Sequence, residues 1–369
     1  MSNRENWQKC KWGDISTLEY GKALSYYDSS IGKVPVYGTN GLIGYTDKAL
    51  CEYPSVIIGR KGAYRGVHFS KVPFHVIDTA FFLKPKNKDL NLKYAYYQLL
   101  TQDINSMDSG SAIPSTSRPD FYNLGLTLPP PAEQCAIADV LSALDDKIEL
   151  NRRMNKTLEQ LAQTLFKHWF LDNPDRDNWE PHVLGELISI NKKNVSQDYQ
   201  YENIEYIDIS SVSTGNLEST TFYQTKEAPS RAKRLVNHGD ILWSTVRPNR
   251  KSYLYISHPK DNVVVSTGFA VLTPEKIPSS FLYSFVISDF FVDYLVSNAD
   301  GSAYPAVLPG VFARAELLLP PDNLLNDFQS VVDPIREKIA CNASENKKLI
   351  ELRDTLLPKL MSGQVKVNL

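Results

Sequence analysis

The pentapeptide GSAIP at Gly110–Pro114 returns as GSAYP at Gly301–Pro305, 191 residues later (301 − 110). The likeness extends well beyond it. Laid over one another without a gap at that offset, Gly110–Phe170 and Gly301–Met361 agree at nearly a third of their positions. Phe121 meets Phe312 and Leu128–Pro130 meets Leu319–Pro321; Lys147, Ile148, Asn151, Asn155, Lys156, Leu158, Leu161, Thr164 and Leu165 recur in the same register. An internal repeat of this length fixes the architecture before any local reading does, because each copy stands for one folded unit.

The segments ahead of these blocks diverge. WGDISTLEYGK (Trp12–Lys22) resembles LGELISINKK (Leu184–Lys193) at an offset of 172 (185 − 13), so the stretch up to the GSA phrase is 19 residues longer in the second half (191 − 172). DTAFFL (Asp78–Leu83) and STGFAVL (Ser266–Leu272) are further equivalents. The chain therefore reads variable–constant–variable–constant. The predicted domains are 1–131 and 172–321, each globular, with a conserved helix at 132–171 and a second helix plus tail at 322–369.

In the first constant block Ile137, Leu141, Leu144, Ile148, Asn151, Asn155, Leu158, Ala162, Leu165 and Trp169 step by three and four, the spacing of a coiled-coil seam. The second block repeats it from Phe328 to Leu360, with Arg353 on the seam and Pro334 predicting a kink or a late start. A helix of roughly 36 residues reaches about 55 Å and needs its seam buried to be stable. The two helices are expected to pack antiparallel across a pseudo-two-fold, with Asn151, Asn155, Asn342 and Asn346 setting the register at a cost in stability. Asparagines facing solvent on a loosely wound helix are the alternative.

Aromatic and β-branched residues punctuated by Gly and Pro make both variable regions mixed α/β domains of short strands. The first offers the glycine-rich turn at Asn40 and, after the apolar run Ser55–Gly59, a basic loop with Arg60, Lys61, Tyr64 and Arg65. The second offers Arg247, Asn249, Arg250 and Lys251 after Ile241–Ser244. Lys and Arg neutralise phosphates, and Arg and Asn can read base edges bidentately. The GSA phrases, with Ser111, Ser302 and Tyr304, either bring backbone N–H groups to a phosphate or form a turn docking each domain on its helix. These residues are the candidate DNA contacts.

Net charge is −2, with a balance of +4 over 1–131 and −5 over 172–321, so any DNA-binding surface must be local. No nucleotide-phosphate loop, dinucleotide fingerprint or zinc-protease helix occurs, and neither Pro-Asp pair has a nearby ExK. No catalytic residue and no metal ligand is assigned. Four scattered cysteines, a polar N-terminus and no long apolar run predict a cytoplasmic protein without a membrane segment.

The strings VPVYGTNGLIGYTD (Val34–Asp47), VIIGRKGAYRGV (Val56–Val67), GSAIPSTSRPDFYNLGLTLPPPAEQ (Gly110–Gln134) and LRDTLLPKLMSGQVKV (Leu352–Val367) occur in the order seen in the specificity subunits of type I restriction–modification systems, which the chain resembles over nearly its whole length. Asn323–Leu325 departs from the Glu-Gln of the first copy, and Arg353 weakens the last part of the seam. The resemblance implies a non-catalytic subunit whose two recognition domains read an interrupted target in double-stranded DNA. Its helices would dock two methyltransferase subunits and, through them, restriction subunits. It also implies that this chain binds no cofactor, with S-adenosylmethionine, ATP and Mg on the partners. A two-headed protein scaffold that never touches DNA, favoured by the acidic second half, and an enzyme with an unrecognised site are the other readings.

Overall fold

A computed structural model describes residues 6–27, 32–107, 113–196, 198–301 and 304–367. The chain forms two compact units, Met1–Leu150 with Glu345–Leu369, and Asn151–Ser344, so both long helices are divided between them. The architecture is mixed α/β with two long helices.

In the first unit the strands are β1 (Gln8–Lys11), β2 (Ser16–Tyr20), β3 (Val34–Gly38), β4 (Gly41–Thr46), β5 (Ser55–Gly59), β6 (Val67–Ser70), β7 (His75–Val76), β8 (Ala80–Pro85) and β9 (Gly125–Leu128). They form an antiparallel sheet in the order β2-β8-β5-β6, a smaller sheet β4-β3-β7 and the ribbon β1-β9. The second unit contains β10 (Glu180–Val183), β11 (Ile188–Ile190), β12 (Asn203–Ile207), β13 (Thr221–Gln224), β14 (Ala232–Leu235), β15 (Ile241–Ser244), β16 (Tyr253–Tyr255), β17 (Val263–Ser266), β18 (Phe269–Pro274) and β19 (Glu316–Leu319). Its sheets are β11-β18-β15-β16 and β13-β12-β17-β14, and its ribbon is β10-β19. The plan is the same twice, with β14 as the added strand that accounts for part of the longer second variable region.

Each main sheet is organised around one strand buried along its whole length: SVIIG in β5 and ILWS in β15. Unbroken apolar runs suit strands covered on both faces. The opening motifs dock in matched fashion. Trp12 N–H donates to Leu124 O at 3.0 Å and Leu184 N–H to Ala315 O at 2.8 Å, a repeat-equivalent pair of acceptors. Gly13 and Gly185 follow, where a Cβ would come within 2.9 Å of the Cβ of Tyr122 and of Ala313 respectively. Glycine at that step lets the chain cross the short helix behind the GSA phrase.

The long helices span Pro131–Phe166 and Asp322–Met361. In each unit their segments run antiparallel. In the first, Ile137 and Leu141 share a core with Leu360, Met361, Tyr94, Tyr97 and Trp7, and Val367 packs against it, so residues near both termini meet there. Asn346 Nδ2 donates to Ile148 O at 3.3 Å, and Arg353 Nη1 donates to Asp145 Oδ1 at 2.8 Å. Arg353 therefore does not weaken the seam as the sequence suggested, because an acid faces it. In the second unit Phe166 and Phe170 pack on Phe328, Asn342 Nδ2 donates to Asn155 Oδ1 at 2.8 Å, and Asn155 Nδ2 donates to Ile339 O at 3.2 Å. Asn151 and Asn342 are buried. The buried guanidinium of Arg336 grips the Glu159 carboxylate with both terminal nitrogens and lies 4.2 Å above the Tyr283 ring.

The late start expected from Pro334 does not occur. The helix begins at Asp322 and continues through Pro334, which is exposed, while the opposite face carries the fully buried Val332 and the buried Arg336. Tertiary burial outweighs the one missing backbone hydrogen bond. The other departure is also resolved: Gln134 is buried, bonded to Asn91, Asp89 and Pro129, whereas its counterpart Leu325 lies in an apolar core. Among the described residues no single helix is long and apolar enough to cross a membrane.

Truncating Arg336 to Ala removes one side of a buried ion pair and should cost about 3–5 kcal/mol. Asn342→Ala, which removes neutral hydrogen bonds, should cost about 1–3 kcal/mol. Urea unfolding of the full chain measures both, and the ranking Arg336 above Asn342 is the expected result.

Candidate nucleic-acid interface

The loop after β5 leaves the sheet at Gly59 and returns at Gly66, closed by Gly59 N–H donating to Gly66 O at 2.8 Å. The loop after β15 is closed the same way, Ser244 N–H to Ser252 O at 2.9 Å. The residues just behind each GSA phrase then clamp the loop. In the first unit Gly62 N–H donates to Pro114 O (3.0 Å) and Thr116 N–H to Arg60 O (2.8 Å); in the second, Arg247 N–H donates to Pro305 O (2.7 Å) and Val307 N–H to Thr245 O (2.7 Å). Isolated bridges Lys61–Ser115 and Val246–Ala306 complete the match. The doubled phrase thus ends in a proline whose carbonyl pins a basic loop.

The clamp also sets the correspondence between the loops. The offset is 185 (247 − 62), so Arg247 occupies the place of Gly62, and Arg60 that of Thr245. Both Gly62 and Arg247 have positive φ, +119° and +52°. A left-handed non-glycine residue is strained, and Lys251 at +52° is a second one in the same loop, on the far side of Pro248. Arg247 is held over the exposed Tyr304 ring at 3.9 Å. Asn249 and Arg250 are exposed between the two strained residues, and Lys251 Nζ pairs with Asp289 at 2.8 Å.

In the first unit Arg60 lies 4.9 Å from the Tyr20 ring centre, and Arg118 lies 5.0 Å from the same ring. Arg60 Nη1 also donates to Asp78 O at 3.0 Å, which fixes its reach. Lys61 and Tyr64 are exposed. Asn40 is exposed at the tip of the β3–β4 hairpin, and this hairpin is tied to the basic loop because Thr39 O accepts from Gly66 N–H and Thr39 Oγ1 donates to Lys61 O. Tyr20 and Arg118 were not singled out from sequence. Arg118 lies within the repeat, but its counterpart is Pro309, so no paired basic signal marks it.

Arg65 does not join this surface. It is 1 % exposed, and its guanidinium donates to the carbonyls of Gly62, Ile104, Asn105 and Met107 at 2.7–3.2 Å. Arg65 is a strut, because a planar cation with several donors can satisfy several buried carbonyls at once. Ser111 and Ser302 lie outside the described residues. Among the described residues one group combines metal-ligand types, His238, His258 and Glu337. The two rings stack face to face at 4.1 Å, and His238 Nδ1 accepts the His258 N–H, so internal contacts account for their proximity.

Each of the two compact units thus holds a basic loop clamped at repeat-equivalent backbone positions beside an antiparallel pair of helix segments. Residues 4–160 match the family model of the type I restriction modification DNA specificity domain. The chain resembles the specificity subunits of type I restriction–modification systems along most of its length. It is 27 % identical to the type I restriction enzyme MjaIX specificity subunit of Methanocaldococcus jannaschii over 90 % of this chain and 84 % of that one. With the HindI specificity subunit of Haemophilus influenzae the identity is 24 %, over 79 % and 81 %. The crystal structure of a type I system S subunit from M. genitalium superposes with a TM-score of 0.63 at 21 % identity, covering 98 % of this chain and 97 % of the other, which supports the fold.

Arg65→Ala should lower stability by about 2–4 kcal/mol, since it strips four carbonyls, two of them in buried hydrogen bonds, of a charged donor. Arg65→Lys should recover only part of this, having no fork. Thermal unfolding of the two variants separates this strut from a DNA contact, which would change DNA affinity while leaving Tm in place.

Proposed function

We propose that the chain is the non-catalytic recognition subunit of a type I restriction–modification complex. In this reading it holds double-stranded DNA through two readers and takes its target as two unlike half-sites separated by a constant gap. The observation that carries this is the duplicated clamp: the same backbone bonds present a basic, aromatic-backed loop in each unit, while the loop sequences differ. Arg60 over Tyr20, Lys61, Tyr64 and Asn40 are assigned to one half-site. Arg247 over Tyr304, Asn249, Arg250 and Lys251 are assigned to the other. Arginines held on aromatic faces arrive at DNA with little side-chain freedom left to lose, which favours base reading over loose phosphate contact.

The helices in this reading dock two methyltransferase subunits, with restriction subunits joining through them. S-adenosylmethionine, ATP and Mg belong to those partners, as does all bond-making chemistry. Because the chain's net charge is −2, attraction to DNA must come from these local loops and fall with added salt.

The test is a methylome. The chain is expressed with its methyltransferase in a methylation-free host, and modified bases are read genome-wide. One asymmetric interrupted motif with a fixed gap is expected. Arg60→Ala should relax one half-site and Arg247→Ala the other, each lost bidentate base contact being worth about 1–3 kcal/mol of discrimination. Wild-type site sets and rates in both variants would remove these loops from the reading surface, and a soluble methyltransferase complex that marks no motif would overturn the proposal.

A further inference from the structure

The repeat places Asp145 and Arg336 at the same position of the two long helices, since 336 − 145 is the repeat offset of 191. Both take part in an ion pair across their unit's helix pair, but with opposite sign. Asp145 in the first helix accepts from Arg353 of the second; Arg336 in the second helix donates to Glu159 of the first. Each is also fastened to its own reader by a tyrosine at a like place in the fold, used in the manner each charge requires. Tyr97 O–H donates to Asp145 Oδ2 at 2.6 Å, whereas the ring face of Tyr283 lies beneath Arg336. Neither pair is a solvated surface contact: Arg336 is 6 % exposed and Tyr283 fully buried, while Arg353 and Asp145 are about a quarter exposed.

We infer that this sign reversal selects partners: it makes the first helix pair with the second and rejects a second copy of itself. The seam asparagines cannot do this, because Asn151 with Asn342 and Asn155 with Asn346 are repeat equivalents and are the same in every combination. They serve homotypic and heterotypic pairs alike. The charges do not. In the observed register position 145 meets 353; with a copy of the first helix as partner it would meet Ala162 (353 − 191), with Glu159 one turn away on the same face. Acid would approach acid, twice by symmetry. With a copy of the second helix as partner, Arg336 would meet Ile350 (159 + 191), with Arg353 one turn away, and would lose the carboxylate that it grips with both terminal nitrogens. Register and partner choice are thereby assigned to different side chains. This goes beyond the DNA-reading proposal and does not depend on it.

The test uses the folded full chain, nicked at a protease site inserted between the exposed Pro174 and Asp175. Nicking leaves two fragments held by their mutual contacts, and the exchange of two heterodimers for two homodimers conserves the number of particles. Native mass spectrometry after equilibration reads the partition. The wild type should remain one of each fragment. The double exchange Asp145→Arg with Arg353→Asp keeps an ion pair in place but gives both helices the same charge order. It should raise the homodimer-forming equilibrium constant about a hundredfold or more. Adding Glu159→Arg with Arg336→Glu reverses both pairs, restores the contrast and should return the partition to that of the wild type. The latter pair exchanged alone repeats the first experiment should the former not fold. A double exchange that stays heterodimeric, or a wild type that redistributes freely, overturns the inference, and a merely structural role would move Tm without moving the partition.

Discussion

Within each compact unit the constraint on which everything else rests is the antiparallel packing of two helix segments whose apolar seams must be buried. A globular domain is built onto each packed pair, and each domain sends a tyrosine to a charge on the seam: Tyr97 to Asp145, Tyr283 to Arg336. Burial and the neighbouring Asp145 push the Tyr97 hydroxyl well above its usual range, so it stays a donor at any physiological pH. Burial opposes the charged form of Arg336, but Glu159 and the surrounding tyrosines outweigh it and hold the guanidinium protonated. Each domain is therefore fixed to the helices by polar contacts that remain in one protonation state.

From that base the second constraint follows. Two loops of different sequence are held in the same attitude. Backbone hydrogen bonds achieve this without reference to side chains, which is why Gly62 and Arg247 can occupy one clamped position. The clamp is built from Pro114 and Thr116 in one unit and from Pro305 and Val307 in the other, the residues that close and follow the GSA phrases. The loop in the second unit accepts two left-handed non-glycine residues, and strain of this kind persists only where surrounding bonds over-determine the backbone.

The sequence was legible wherever a period or a repeat carried the signal. The ungapped offset of 191 foretold two matched units, and the three-and-four spacing foretold two paired helices with asparagines on the seam. It was less legible where one residue's role depends on a contact distant in the chain. Arg65 looked like its neighbours Arg60 and Lys61, yet its side chain turns inward because carbonyls at 104–107 converge on it. Arg353 looked like a flaw in the seam until Asp145 was found opposite it. Pro334 looked like a break, but the helix is held from its other face.

What the sequence determined by itself is the doubling, the helix period and the kinds of residue in each loop, because these are properties of order along the chain. Tertiary structure alone decided which cations reach solvent, which tyrosines support them and at what offset the two loops correspond. Those outcomes depend on hydrogen bonds between segments some fifty to sixty residues apart, such as Thr116 to Arg60 or Val307 to Thr245, and no local pattern encodes them.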